Sequence, residues 1–112
     1  MVDVFGRNWQ LKEPVDMKHR DVALWNRAYL AYPHRAAVAD ERAAALAAAI
    51  EAGWIVSPAS TYEDVTDGAT GKTERRHYLD GTQIDDLPAA QVGYYGALCN
   101  ALFEAAMRVP KA

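Results

Sequence analysis

Gly93 and Gly96 interrupt an otherwise helix-forming stretch, Pro88 to Val109, and this limits what the chain can fold into. A glycine inside a helix costs about 1 kcal/mol against alanine. Two of them three residues apart mean that another backbone comes close. Upstream, 10 of the 17 residues from Ala36 to Ala52 are alanine, so a helix there presents little side chain and is the natural partner. Both glycines are expected to face that helix at close range.

Periodicity and capping place the remaining elements. Asp16 suits an N-cap, and Val22, Trp25, Tyr29 and Tyr32 recur at steps of three and four. A first helix is therefore expected over about 17–31. Pro33 disfavours helical geometry at Tyr32 and opens a second helix, about 34–52, which Gly53 ends. Val38, Leu46 and Ile50, filled in by Ala39, Ala43 and Ala49, make its apolar stripe. Trp54, Ile55 and Val56 follow as a strand. Residues 59–74 are the most polar stretch, expected as a flexible loop or the tip of a long hairpin. Arg75 to Leu79 alternates as a strand should, Asp80-Gly81 is a tight-turn signal, and Thr82 to Ile84 is the return strand. Asp85 or Asp86 then caps a third helix, about 88–108, with Pro88 in its first turn. The class is α+β: three helices with a small antiparallel sheet containing the 75–84 hairpin, in a single domain over 1–112. Residues 1–15 form a short hairpin packed on the body or an N-terminal arm.

Composition and charge narrow the partners. With 51% hydrophobic and 24% charged residues the chain has an ordinary globular composition. No apolar stretch approaches the roughly 20 residues of a bilayer span. Met1 to Gln10 lacks the basic region and apolar block of a signal peptide, so a cytoplasmic protein with no membrane partner is expected. The net charge of −3 is concentrated in the middle. Residues 63–86 carry Glu63, Asp64, Asp67, Glu74, Asp80, Asp85 and Asp86 against Lys72, Arg75 and Arg76. Each phosphate a protein neutralises needs its own Lys or Arg, so nucleic acid is not an expected partner. Cys99 is the only cysteine, which rules out an internal disulfide. Its helical neighbours Tyr95, Leu98 and Leu102 mark it as a small buried hydrophobe.

The motifs that invite chemistry fall short of it. Gly68-Ala69-Thr70-Gly71-Lys72-Thr73 has the ending of a phosphate-binding loop, but the required first glycine is Thr66. Glu63 to Glu74 imitates a calcium loop, with Asp67, Gly68 and Glu74 in place. Val65, however, stands where a ligand is needed. His19, His34 and His77 lie in three segments with no zinc-ligand spacing, and His77 is expected on a half-exposed strand. Asp80, Asp85 and Asp86 suit a turn and a helix cap better than an acid–base pair. Trp9, Trp25, Trp54 and Tyr94-Tyr95 have the spacing of core and interface residues rather than a stacking platform. No catalytic residue, metal ligand or cofactor is expected.

Two segments resemble a known group. The opening Phe5-Gly6-Arg7-Asn8-Trp9-Gln10-Leu11 and the ending Leu87-Pro88-Ala89-Ala90-Gln91-Val92-Gly93-Tyr94-Tyr95-Gly96, with Val109-Pro110-Lys111-Ala112, resemble small tailed-bacteriophage or prophage proteins of the tail-assembly type, including tail-assembly chaperone-like products. The resemblance implies a non-enzymatic protein that binds other virion components, and it carries over no functional residue. Phe5, Trp9 and Leu11 lie outside any firm element, and three large apolar side chains are costly to leave in water. They must fold back on the domain or bury themselves in another subunit. The expectation is the second, with a protein partner or self-association through residues 2–12, aided by Tyr94 and Phe103. The rival is a small enzyme or ligand-binding domain with its site near the acidic 63–86 segment. A helix-turn-helix reading of the first two helices fails because the second offers mostly alanine where base-reading side chains are needed.

Overall fold

The structure, a computed structural model, describes residues 5–32 and 38–108. Val4, Pro33, His34 and the Val109–Ala112 ending lie outside them, as do residues 34–37 of the expected second helix and the Val38 side chain. Three helices, α1 (His19–Ala31), α2 (Val38–Ala52) and α3 (Ala89–Met107), combine with two small antiparallel sheets. One sheet pairs β1 (Gln10–Leu11) with β2 (Ile55–Ser57). The other has the order β3 (Ser60–Thr66), β4 (Thr73–Leu79), β5 (Thr82–Gln83). The fold is α+β.

Helix α2 is the centre of the molecule. It packs against α1, α3, β3 and β4. Consequently every residue from Ala44 to Ile50 is buried, not a stripe of them. Alanine makes this possible, because its small side chain lets neighbouring backbones approach from several sides. The close approach is most acute at Gly96 on α3. A Cβ placed there would fall 2.7 Å from the carbonyl carbon of Arg42 and 2.8 Å from its Cα. Gly93 differs from expectation, since a Cβ at that position would meet nothing within 4 Å. Only one of the two glycines is demanded by packing.

The end of α2 and the start of α3 have local causes. Gly53 stops α2 at φ +72°, donating to Ile50 while Trp54 donates to Ala49. This is the glycine-closed helix end in which two final carbonyls are satisfied by the turn that follows. Asp85 and Asp86 do not cap α3, whose N-cap position is Pro88. Ile84 is drawn into the core at 3% exposure, which ends the return strand at Gln83 and folds Ile84–Asp86 into a 3₁₀ turn. Asp16 likewise belongs to a 3₁₀ turn seeded by Pro14. Helix α1 starts after Lys18, whose backbone N–H donates to the Asp21 carboxylate.

The 59–74 stretch is not a loop throughout. Residues 60–66 form a regular strand paired with 73–79 in an unbroken register, Ser60 opposite Leu79 through Thr66 opposite Thr73. The hairpin-tip alternative describes it: residues 67–72 are the turn, closed by Asp67 N–H to the Lys72 carbonyl at 2.8 Å. The polar sequence reflects where this hairpin sits. From Thr61 to Arg75 every residue is exposed except half-buried Val65, so alternation has no core face to record. The Asp80-Gly81 turn agrees with expectation, both residues having positive φ, +53° and +80°.

Residues 5–11 pack on their own chain. Trp9 is 3% exposed and lies flat on Tyr95 of α3, ring centroids 4.1 Å apart. Strand β1 pairs with β2, so among the described residues this segment is no self-contained hairpin. Arg7 to Asp80, at 2.9 Å, and the Ser57 hydroxyl donating to the Asn8 carbonyl, at 2.7 Å, tie the segment to both sheets.

Candidate functional site

The five residues expected to form an interface are split by the fold. Phe5 meets Tyr94 and Tyr95 edge-on, at 5.7 and 5.9 Å, so Phe5, Trp9 and Tyr94 share one aromatic patch on α3. Leu11 is partly buried against the core. Phe103 lies elsewhere, stacked on Trp25 at 4.5 Å, with Tyr29 and Trp54 also on that indole. Of the five, Phe5 keeps the most accessible surface, at 39%. The expectation that the arm offers Trp9 as a free anchor gives way, because Tyr95 provides a flat apolar surface within the chain.

Polar chemistry gathers where β4 meets α2. Alternation puts Arg75, His77 and Leu79 on one face of β4, and Leu79 in the core draws His77 inward with it. His77 is 5% exposed, not half-exposed as its neighbours Arg76 and Tyr78 led us to expect. Its Nε2 lies 2.7 Å from Glu51 Oε2. The other oxygen of Glu51 accepts from Arg75 Nη1 at 2.7 Å, and Arg75 donates through Nε and Nη2 to both oxygens of Asp64 on β3. Tyr62 stacks under the guanidinium, 5.1 Å from ring centroid to Cζ. The four polar residues thus form one chain of bonds, Asp64–Arg75–Glu51–His77, running from the edge of the sheet into the helical body.

Electrostatics follow the contacts. The Arg75 hydrogen bonds hold the Asp64 carboxyl below the usual carboxylate range. Arg75 is held above its ordinary value by its bonds to Asp64 and then Glu51. Glu51 stands in the last turn of α2, where the helix dipole disfavours a negative charge. That anomaly was visible in the sequence, and it signals a compensating cation from elsewhere in the fold. The identity of the cation, 24 residues downstream, was not visible.

A cleft of about 700 Å³ opens beside this network, lined by Ala28, Tyr32, Glu51, Arg75, His77 and Asp85 among others. Burial raises the Tyr32 phenol above its ordinary pKa, with Asp85 and Asp40 adding to the effect. Three of these residues, Arg75, His77 and Asp85, belong to the acidic segment flagged from the sequence. Glu51 bonds both Arg75 and His77 and so clamps the hairpin to the body. Cys99 is fully buried, and desolvation pushes its thiol up to about 12. No group of three or more His, Cys, Asp or Glu side chains with metal-holding geometry occurs among the described residues. The Gly68–Thr73 motif is the hairpin turn and leads into a strand, where a phosphate-binding loop would lead into a helix.

A second surface lies at the sheet margin. Among the described residues, strand β3 is hydrogen-bonded to β4 on one side only. Comparison with family models, with curated proteins and with solved structures finds no match.

Proposed function

We propose that this chain is a non-enzymatic protein-binding component of a larger assembly, of the phage tail-assembly type that its terminal segments resemble. One observation carries the reading: a regular seven-residue strand, β3, stands on an exposed hairpin with one edge unpaired among the described residues. Open edges are templates for another chain, and proteins that do not use them blunt them with Pro, a bulge or charged side chains, Lys above all. Strand β3 has no Pro, Lys or bulge, and of its two charges Asp64 is bound by Arg75, which leaves Glu63 as the one charge that selects what the edge accepts. The Arg75–Glu51 and His77–Glu51 bonds support the reading further, since they hold the hairpin at a fixed angle to the body.

Co-expression of the full chain with the products of the genes flanking its own tests the proposal. A complex of fixed stoichiometry, measured by light scattering after size exclusion, is the expected result. A chain that stays monomeric alone and with each of those products overturns it.

A second reading, a ligand-binding or catalytic site near residues 63–86, is favoured by the cleft between Tyr32, Glu51, Arg75 and Asp85. A small-molecule screen by thermal shift distinguishes the two. A hit whose effect is lost in Tyr32→Phe or Asp85→Asn, in a chain that forms no complex, supports the second reading against the first.

A further inference from the structure

We infer that the open edge of β3 takes up an extended segment of a partner protein as an added strand, and that this segment is basic. The inference rests on the protein-binding reading above and names its surface and its chemistry.

The backbone geometry specifies what the edge offers. At one end of the hairpin the Ala59 carbonyl accepts from Asp80 N–H at 2.7 Å, and at the other Asp67 N–H donates to Lys72. In an antiparallel pair the inward-bonded residues alternate. Thr61, Glu63 and Val65 therefore bond to β4, and the N–H and C=O groups of Ser60, Tyr62, Asp64 and Thr66 point to the open side. None of these four finds a backbone partner among the described residues. Tyr62 is 46% exposed, and Thr61, Glu63, Asp64 and Thr66 are exposed as well. Four outward residues offer up to about eight ladder hydrogen bonds along roughly 23 Å of strand.

Charge decides the occupant. Strand β3 carries Glu63 and Asp64 and no basic residue. A second copy is a poor match, because the antiparallel register that pairs all seven residues sets Glu63 directly opposite its own copy. Like charges directly opposite destabilise a strand pair. Asp64 is already held by Arg75, whereas the hydrogen-bond donor on Glu63 is the neutral Tyr78 hydroxyl at 2.7 Å. An incoming strand with Lys or Arg opposite Glu63 gains a cross-strand ion pair, and one with Asp or Glu there is rejected.

The probes are two labelled seven-residue peptides, one alternating Lys with Val and the other Glu with Val, titrated onto the full chain by fluorescence anisotropy. The Lys peptide should bind at least about tenfold more tightly than the Glu peptide, a difference of about 1.4 kcal/mol. Glu63→Lys should invert the preference. Tyr62→Pro removes an outward N–H and leaves the β3–β4 ladder intact, so it should weaken the Lys peptide about tenfold or more. Tyr62→Ala, which keeps that N–H, should change binding by less than about threefold. Amide chemical shifts should move at Ser60, Tyr62, Asp64 and Thr66. Absence of binding, equal affinity for both peptides, or equal losses in Tyr62→Pro and Tyr62→Ala each overturn the inference. So does self-association that Tyr62→Pro abolishes, which makes a second copy the occupant. If a co-expressed complex forms and survives both Tyr62→Pro and Glu63→Lys, the edge is excluded while the protein-binding reading stands.

Discussion

At the scale of single residues, Gly93 and Gly96 make a matched pair with opposite expected behaviour. Gly96→Ala drives a methyl group into the backbone of Arg42, which cannot rotate away as a side chain would. The expected cost is about 1–3 kcal/mol through overpacking. Gly93→Ala meets open space and gains helix propensity, so it should stabilise by up to about 1 kcal/mol. Urea denaturation of the two variants checks both signs at once. Cys99 supplies a second expectation. Its thiol ionises only near 12 in the folded chain, against 9.0 for the free group. A raised pKa means that the fold prefers the neutral thiol. The stability this contributes is therefore complete below pH 9.0 and is lost as pH rises from there toward about 12. A thiol-reactive dye at pH 8 should leave the native chain unlabelled and take one equivalent in denaturant.

At the scale of elements, the polar attachment of the β3–β4 hairpin to α2 runs, among the described residues, through the Glu51 side chain. Glu51 accepts from both Arg75 and His77, and its side chain is 13% exposed. Glu51→Ala leaves the imidazole buried without that partner, at a cost of about 1–3 kcal/mol. Glu51→Gln keeps a hydrogen-bonding group in place and should cost less. Chemical denaturation of both variants measures the difference. If Glu51→Ala proves neutral, the clamp contributes nothing. The same hairpin marks the boundary of what sequence patterns reveal. Helices α1 and α3 were legible because Trp25 and Tyr29, or Tyr95, Cys99 and Leu102, repeat at helical spacing against a core. Asp80-Gly81 was legible because its chemistry is local. Strand β3 left no alternation because both of its faces are largely exposed, and its pairing is fixed by β4. The buried state of His77 was hidden for a related reason: its partner comes from another element. The three indole N–H groups, buried and without an acceptor among the described residues, belong to the same class of facts.

At the scale of the whole molecule, the N-terminal segment is a structural part of the domain. Removing residues 1–12 takes away the Trp9–Tyr95 stack, the β1 partner of β2 and the Arg7–Asp80 contact together. Full loss of one large buried aromatic side chain costs about 3–5 kcal/mol, a large share of the total for a domain of this size. The truncated chain should melt far below the parent or fail to fold, as read by circular dichroism. A truncated chain with an unchanged melting temperature would restore the arm as an independent tether. The burial of α2 reaches further still. A helix closed in by α1, α3 and the hairpin has no solvent side through which its middle turns can fray. The amide protons of Ala44 to Ile50 can then reach deuterium only when the whole structure opens. Their exchange rates become an internal gauge of global free energy, read under native conditions and against which every faster amide can be ranked.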